Sequence, residues 1–255
     1  MRLWAGLGYY SRARNLLAAA KTIVAEHGGS FPSEFDAVLA LPGIGRYTAG
    51  AVLSIAFQKP VPLVDGNVAR VFSRLFAVRG SAKDPDAMRR YWEIAERLVS
   101  RDRPGDWNQA LMELGATVCA PESPRCDACP VSGLCEAFAQ GLQDELPPVA
   151  ARKAPIDLAW TCLLIEKGGR LLLWKRAEDE RFLKGHWALP EARHLEIEPG
   201  EKLRTVRHTI THHRITIELR RAAPPASLSP SARWFKPGDA QDRLVSSLWR
   251  KCLSK

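Results

Sequence analysis

Four cysteines, Cys119, Cys126, Cys129 and Cys135, crowd into seventeen positions of a chain that has only two others. In a reducing compartment such crowding points to a metal group rather than to disulfides. Four thiolates can hold zinc or an iron-sulfur cluster. Zinc ribbons usually pair two C-x2-C knuckles, whereas this run holds one, between spacings of six and five residues, which favours [4Fe-4S]. Upstream, Leu41-Pro42-Gly43-Ile44-Gly45 separates two stretches of helical periodicity. Its glycines let the backbone approach a phosphate, and free N–H groups at the next helix start can bind one without reading bases. A ligand-free helix connector would read the same way in isolation. Twenty residues later comes Val64-Asp65-Gly66-Asn67-Val68, in which Asp65 is either an ordinary helix N-cap or a carboxylate placed for chemistry.

Taken in order, the hairpin, the Asp and the four-cysteine loop resemble the layout of the helix-hairpin-helix glycosylases, the superfamily of endonuclease III and MutY. The resemblance implies a catalytic Asp65, whose fixed carboxylate stabilises the oxocarbenium-like charge that builds on the sugar as an N-glycosidic bond breaks. It also implies a [4Fe-4S] cluster on the four cysteines, structural and near DNA. Endonuclease III-like enzymes carry a Lys after the Gly-Arg of the hairpin, for Schiff-base strand cleavage. This chain has Tyr47, as in monofunctional glycosylases, where the matching Tyr and an Asn (here Asn67) hold the carboxylate's geometry. The run Trp4-Ala5-Gly6-Leu7-Gly8-Tyr9-Tyr10-Ser11-Arg12-Ala13-Arg14-Asn15-Leu16 is similar to a MutY signature. There the residue matching Tyr9 wedges into the duplex beside oxidised guanine while adenine flips out. In Asn108-Gln109 the family's residue at Gln109 hydrogen-bonds the flipped adenine; without the resemblance it reads as a solvated helix residue.

The C-terminal stretch Arg207-His208-Thr209-Ile210-Thr211-His212-His213 resembles the MutY recognition domain, which has a Nudix-like fold and often Phe-Ser-His at the positions of Ile210, Thr211 and His212. Thr211 keeps a hydroxyl and His212 the imidazole for contacting 8-oxoguanine, while Ile210 lacks the aromatic ring. The three histidines also read as exposed alternate positions of one strand; a metal is disfavoured because no acidic residue accompanies them.

One departure concerns the general acid. MutY-like proteins carry the Glu that protonates adenine on helices preceding the Gly-Leu-Gly-Tyr-Tyr segment, which begins here at Gly6. Glu26 and Glu34 lie on the wrong side of it, so the expectation is that no residue of this chain fills the role and that the chain as given releases no adenine. The two readings are therefore a monofunctional adenine DNA glycosylase acting on adenine opposite 8-oxoguanine or guanine, and a non-catalytic lesion-binding protein. A pyrophosphohydrolase would need a Glu-rich Arg-Glu-x-x-Glu-Glu helix for Mg2+, which the sequence lacks.

Positioning these groups requires an all-α front part: helices over Arg12–His27 up to Gly28-Gly29, from a Ser33 cap to about Leu41, from near Tyr47, and over Val68–Ala77, Pro85–Ser100 and Asn108–Val118. Residues 1–140 are expected to form this helical glycosylase domain, 141–155 a linker around Pro147-Pro148, and 156–255 an α+β, Nudix-like domain. Expected there are a hairpin of Leu158–Glu166 with Arg170–Lys175 through Gly168-Gly169, a strand Ile210–Leu219 and a helix Asp239–Leu253.

The net charge of +9 is distributed unevenly: residues 1–145 hold 16 Lys+Arg and 16 Asp+Glu, so residues 146–255 carry the excess, 21 against 12. A polyanionic partner follows, duplex DNA with A:8-oxoguanine or A:G mispairs, gripped in the front part by clustered donors and helix ends rather than by a general field. No signal peptide or membrane span is expected, which implies a cytoplasmic, nucleoid-associated monomer.

Overall fold

The computed structural model describes residues 2–4, 7–149, 154–195 and 197–254, so Ala5-Gly6 of the N-terminal signature lies outside the described residues. The chain divides into two compact units, Asn15–Arg152 and Met1–Arg14 with Lys153–Lys255. The division falls within α1 (Tyr10–Glu26).

The helical unit continues with α2 (Phe35–Leu39), α3 (Arg46–Phe57), α4 (Gly66–Leu75), α5 (Pro85–Leu98), α6 (Pro104–Glu113) and α7 (Glu136–Ala139). Pro85 and Pro104 each open a helix, where the missing N–H costs nothing. Helix α4 is amphipathic, and its buried Val68, Val71 and Phe72 meet Leu63 and the α5 residue Tyr91 in the main core of this unit. Each such side chain contributes roughly 1.5–3 kcal/mol on full burial. A smaller cluster of Val38, Ala49 and Leu53 joins α2 to α3.

Two expectations need correction here. Ser33 does not cap α2; Glu34 occupies the N-cap without a side-chain bond, and the helix ends at Leu39. After Leu39 the chain tightens, Leu41 N donating to Val38 O at 3.2 Å, and Leu41 is buried at 3% exposure. Helix α6 begins at Pro104 rather than Asn108, and its expected C-terminal part, Leu114–Val118, is a π-helical segment.

In the other unit, β1 (Ile156–Leu164) is followed by β2 (Glu166–Lys167), β3 (Arg170–Lys175), β4 (Trp187–Ala188), β5 (Lys202–Ile210), β6 (His213–Arg221), β7 (Ala232–Phe235), α8 (Pro237–Arg243) and α9 (Ser247–Leu253). One sheet has the order β1-β6-β5, with β1 parallel and β5 antiparallel to β6; the other is β2-β3-β4, with β7 also on β3. Trp249 and Leu248 of α9 pack on Ile215, Ile217 and Leu219 of β6.

Three strand and helix expectations change. The hairpin through Gly168-Gly169 is only β2–β3; the long strand before it, β1, ends at Leu164 and pairs with β6 instead, and Ile165 between β1 and β2 is buried in a second cluster. Ile210–Leu219 is not one strand: Ile210 ends β5, Thr211-His212 turns, and β6 begins at His213, so the three histidines do not alternate along one strand. Asp239–Leu253 splits into α8 and α9, the latter capped by Ser246, whose hydroxyl accepts from Leu248 N. Among the described residues no helix is long and apolar enough to cross a membrane.

Candidate active site and nucleic-acid interface

Asp65 is the N-cap of α4. Its Oδ1 accepts from Val68 N at 2.8 Å and its Oδ2 from Asn67 Nδ2 at 3.3 Å. The carboxylate is half-buried and held at both oxygens, with lone pairs left for a ligand. The network runs on from Asn67: its Oδ1 accepts from Arg70 at 2.9 Å, and Arg70 also donates to the carbonyls of Gly115 and Cys119, each at 2.8 Å. Burial holds the Arg70 guanidinium below its usual range, partly offset by Cys119 and Asp65. The π-helical segment makes this possible by bringing Gly115 so close that a Cβ there would lie 2.7 Å from Asn67 Cβ. Only glycine fits this approach.

One turn further along α4, Arg74 is 3% exposed and donates to the carbonyls of Leu146 at 2.8 Å, Ala120 at 2.7 Å and Pro121 at 3.2 Å, with its Nη1 3.3 Å from Cys119 Sγ. The Cys135 thiol in turn points at the Arg74 carbonyl at 3.5 Å. All four loop cysteines are free thiols. The Cys126 thiol is pushed up by burial and then by Cys119, Cys135 and Cys129, with Arg74 opposing, so the four sulfurs share one neighbourhood. Four unbridged thiols, with Cys119 and Cys135 both against Arg74, whose guanidinium balances thiolate charge, are a donor set suited to a thiolate-ligated metal group.

The hairpin lies between α2 and α3. Gly43 has φ +76° and faces Asn15 so closely that a Cβ would sit 2.4 Å from Asn15 Cβ, while Ile44 packs on the α2–α3 cluster. Pro42 is half-buried and Gly45, exposed, is the N-cap of α3 with no side-chain oxygen closing it, so the first-turn N–H groups stay open to an outside acceptor. Arg46 is pinned beside them, 3.9 Å over the Trp92 ring and 2.5 Å from Glu96. Tyr47 is 40% exposed and its hydroxyl meets Met112 Sδ at 3.6 Å; no hydrogen bond joins it to Asp65. Gln109 is exposed on α6, its amide turned onto the Gly105 carbonyl at 3.1 Å, whereas its neighbour Asn108 is buried and ties Ser54 to Val61.

In the other unit, Gly8 and Tyr9 have φ of 70° and 43°, an uncommon conformation for an aromatic residue that presents the Tyr9 ring 69% exposed. Arg12 lies 4.6 Å over that ring. Tyr10 is anchored instead, its hydroxyl donating to Val245 O at 2.8 Å and its ring 5.0 Å from His186. His186 is 6% exposed and meets Arg14 at 3.1 Å; burial and then Arg14 lower its pKa. Tyr9, Tyr10, Arg14 and His186 line a cavity of about 530 Å3 together with Ile210 and Thr211. Thr211 has φ +55° at the β5–β6 turn, is exposed, and places Oγ1 3.4 Å from His212 Nδ1. The His212 ring lies 4.1 Å from that of His213, tilted by 45°, and is not among the residues lining the cavity.

Glu180, Glu191 and His194 also converge. Buried Arg176 pairs with both carboxylates, and Arg193 adds bonds of 3.3 Å to Glu180 and 2.8 Å to Glu191. Two guanidinium groups occupy the lone pairs a cation would need, so this is an ion-pair network.

The sequence therefore brings Asp65 to Asn67, Tyr9 to Thr211, and the cysteines to one another, but leaves Tyr47 and Gln109 on other partners. The residues it did not reveal are Arg70 and Arg74. Their signal is present, two arginines four apart on the helix that Asp65 caps, with Asn67 one turn before the first, but only burial distinguishes them from a solvated pair.

Residues 1–97 match the family model described as HhH-GPD superfamily base excision DNA repair protein. The protein named adenine DNA glycosylase of Arabidopsis thaliana is 45% identical over 202 residues, covering 74% of this chain and 32% of the relative. That of Homo sapiens is 32% identical over 324 aligned positions, covering 98% of this chain and 59% of the relative. The chain thus spans between a third and three-fifths of the length of these two relatives. A solved structure titled as a thermostable thymine-DNA glycosylase is 35% identical with a TM-score of 0.45, over 51% of this chain and 59% of that one. Residues 1–97, which hold the Asp65–Asn67 pair at a helix start and the Gly43 hairpin, thus carry the match to the HhH-GPD superfamily of base excision DNA repair proteins, and the chain is similar over most of its length to the relatives named adenine DNA glycosylase.

Proposed function

We propose that the protein is a monofunctional adenine DNA glycosylase, hydrolysing the N-glycosidic bond of adenine paired with 8-oxoguanine or guanine in duplex DNA. The observation that carries this reading is the Asp65 carboxylate, fixed at 2.8 Å by Val68 N and at 3.3 Å by Asn67 while still open to a ligand. As adenine departs, C1′ of the sugar gains positive charge, and a preorganised carboxylate stabilises it without reorganising. Water then adds at C1′ and loses a proton, and by way of solvent that proton replaces the one the departing adenine takes up to leave as the neutral base. Tyr47 offers no amine, so the Schiff base that leads to strand cleavage does not form. The open N–H groups of the Gly43–Gly45 hairpin hold a backbone phosphate, and Pro42 and Ile44 shape their approach. Tyr9, projecting into solvent from a strained backbone, enters the base stack; Thr211 and His212 hydrogen-bond the oxidised guanine; Gln109 turns from Gly105 to the flipped adenine.

Cys119, Cys126, Cys129 and Cys135 would hold a [4Fe-4S] cluster, which supplies a structural clamp on the loop following α6. Arg74 and Arg70 carry that loop's geometry to Asn67 and so to Asp65. The chain acts as a monomer on DNA.

The test is an alkali-cleavage assay with the protein in excess over a labelled duplex holding one 8-oxoguanine:adenine pair. Adenine release supports the reading and overturns the expectation from the sequence that this chain releases none, because the base's proton then comes from solvent or from a group other than Glu26 and Glu34. Tight, lesion-selective binding without release would make the protein a lesion-binding factor instead.

A further inference from the structure

The β1-β6-β5 sheet has one face in the core; its other face is covered around Leu163 of β1 by a second cluster but is open near the β5–β6 turn. Alternation sends Leu158, Ile215, Ile217 and Val206 inward; Arg214 and Thr216 on β6 and Thr205, Arg207 and Thr209 on β5 are exposed on the other side. The register sets Arg207 opposite Thr216 and Thr209 opposite Arg214, which makes the two arginines diagonal neighbours, about 7–8 Å apart by general sheet geometry. Towards the far end of the hairpin the charges cancel, because Glu218 takes both Arg220 and, at 3.4 Å, Lys202. Among the described residues neither Arg207 nor Arg214 has an ion-pair partner, although exposed Asp157 stands beside Arg214 in the β1–β6 register. The same hairpin turns at Thr211-His212, and residues 146–255 carry the whole net charge of +9.

Uncommitted guanidinium groups interleaved with hydroxyls are donors for phosphodiester oxygens: arginine grips them as a planar fork and threonine adds neutral bonds. A protein partner would be expected to find apolar or aromatic anchors at the centre of such a face, and this one offers none beyond Ala159. We infer that the open face of the β5–β6 hairpin docks on the phosphate backbone of duplex DNA through Arg207 and Arg214, next to the base contacted by its Thr211-His212 turn. This rests on the glycosylase reading above and adds a sequence-independent contact surface to it.

The experiment compares wild type, the double variant Arg207→Ala/Arg214→Ala, and Arg233→Ala, which removes an exposed arginine from β7 in the other sheet. Binding to lesion-containing and undamaged duplexes is measured across a salt series. Each phosphate contact contributes about 0.9 to the slope of log K against log salt, so the double variant should be shallower by about 1.8. Between about 50 and 200 mM salt, wild type should then lose about 12-fold more affinity than the double variant, equally for both duplexes. Arg233→Ala should keep the wild-type slope, and Arg207→Lys/Arg214→Lys should keep most of it, which guards against misfolding as the cause. An unchanged slope in the double variant overturns the inference while leaving the glycosylase reading intact, and so does an equal change in Arg233→Ala. Failure of wild type to bind duplex DNA at all would sink both. Loss of binding to phosphatidylserine vesicles, with duplex binding retained, would reassign the face to a membrane surface.

Discussion

The side-chain amide of Asn67 stands between Asp65 and Arg70, donating to the carboxylate at 3.3 Å and accepting from the guanidinium at 2.9 Å. One amide thus has its orientation fixed from both ends. A flipped amide would face Asp65 with an oxygen and Arg70 with an NH2 group, losing both bonds. The carboxylate geometry is therefore coupled to the cysteine loop through two side chains of a single helix.

Asp65 has two separable jobs, and Asn distinguishes them. Asn is as good an N-cap as Asp, so Asp65→Asn should leave thermal stability and duplex affinity nearly unchanged while lowering adenine release by about 10²- to 10³-fold or more. Asp65→Ala should add a stability loss of about 1 kcal/mol through the lost cap. Single-turnover release and denaturant melts measure the two effects; near wild-type excision by Asp65→Asn would remove it as the catalytic carboxylate.

Arg74 should matter for folding more than its distance from Asp65 suggests. Its guanidinium satisfies three carbonyls and faces Cys119 Sγ from a position 3% exposed. Arg74→Met would leave those acceptors buried without donors, at about 1–3 kcal/mol for each not reached by water. Arg74→Lys cannot span the same set, since an ammonium lacks the planar fork. Both variants should unfold at lower urea and retain less iron after purification; a Lys variant equal to wild type in both would refute this role.

Iron content tests the loop itself. Protein purified without oxygen should be yellow-brown and hold iron and sulfide at about four each per chain. Cys126→Ser and Cys129→Ser should lose the colour and loosen the loop, read as faster proteolysis between Cys119 and Cys135. Stoichiometric zinc in place of iron would overturn the cluster assignment.

How much of this was legible beforehand depends on the type of signal. Fixed spacing and backbone-special residues read well: the Gly43 turn, the Asp65 cap and the helix opened by Pro85 lie where the sequence puts them, because local chemistry decides them, while the helix expected over Val68–Ala77 is displaced two residues towards its cap, to Gly66–Leu75. The β5–β6 turn did not, since Thr211 takes a positive φ where Gly or Asn would have announced it, and an alternating run therefore read as one strand. Pairing of β1 with β6 is also invisible locally: the partners are more than fifty residues apart and their register is set by the shared core. At the site, Asp65 and the cysteines were named by spacing and resemblance, whereas Arg70 and Arg74 became evident only from what they touch.

The buried His186 gives the C-terminal unit an acid-sensitive element. Burial first, then Arg14 at 3.1 Å, lowers its pKa in the folded protein, with Glu178 opposing. His194 and His208 shift the same way, burial again being the main cause. When the folded pKa lies below the unfolded one, the unfolded chain binds the proton first as pH falls. Stability is therefore complete above the ordinary histidine value of about 6.5 and declines as pH drops towards the folded value. Unfolding free energy from urea melts should accordingly fall between about pH 7.5 and 5.5 for wild type. In His186→Gln the side-chain oxygen can still accept from Arg14 but does not titrate, so the drop should be smaller. The difference between the two proteins across that range isolates His186 from the other histidines. If the two curves run parallel, or wild type gains stability on acidification, the protonation of His186 is not coupled to folding in the direction its surroundings dictate.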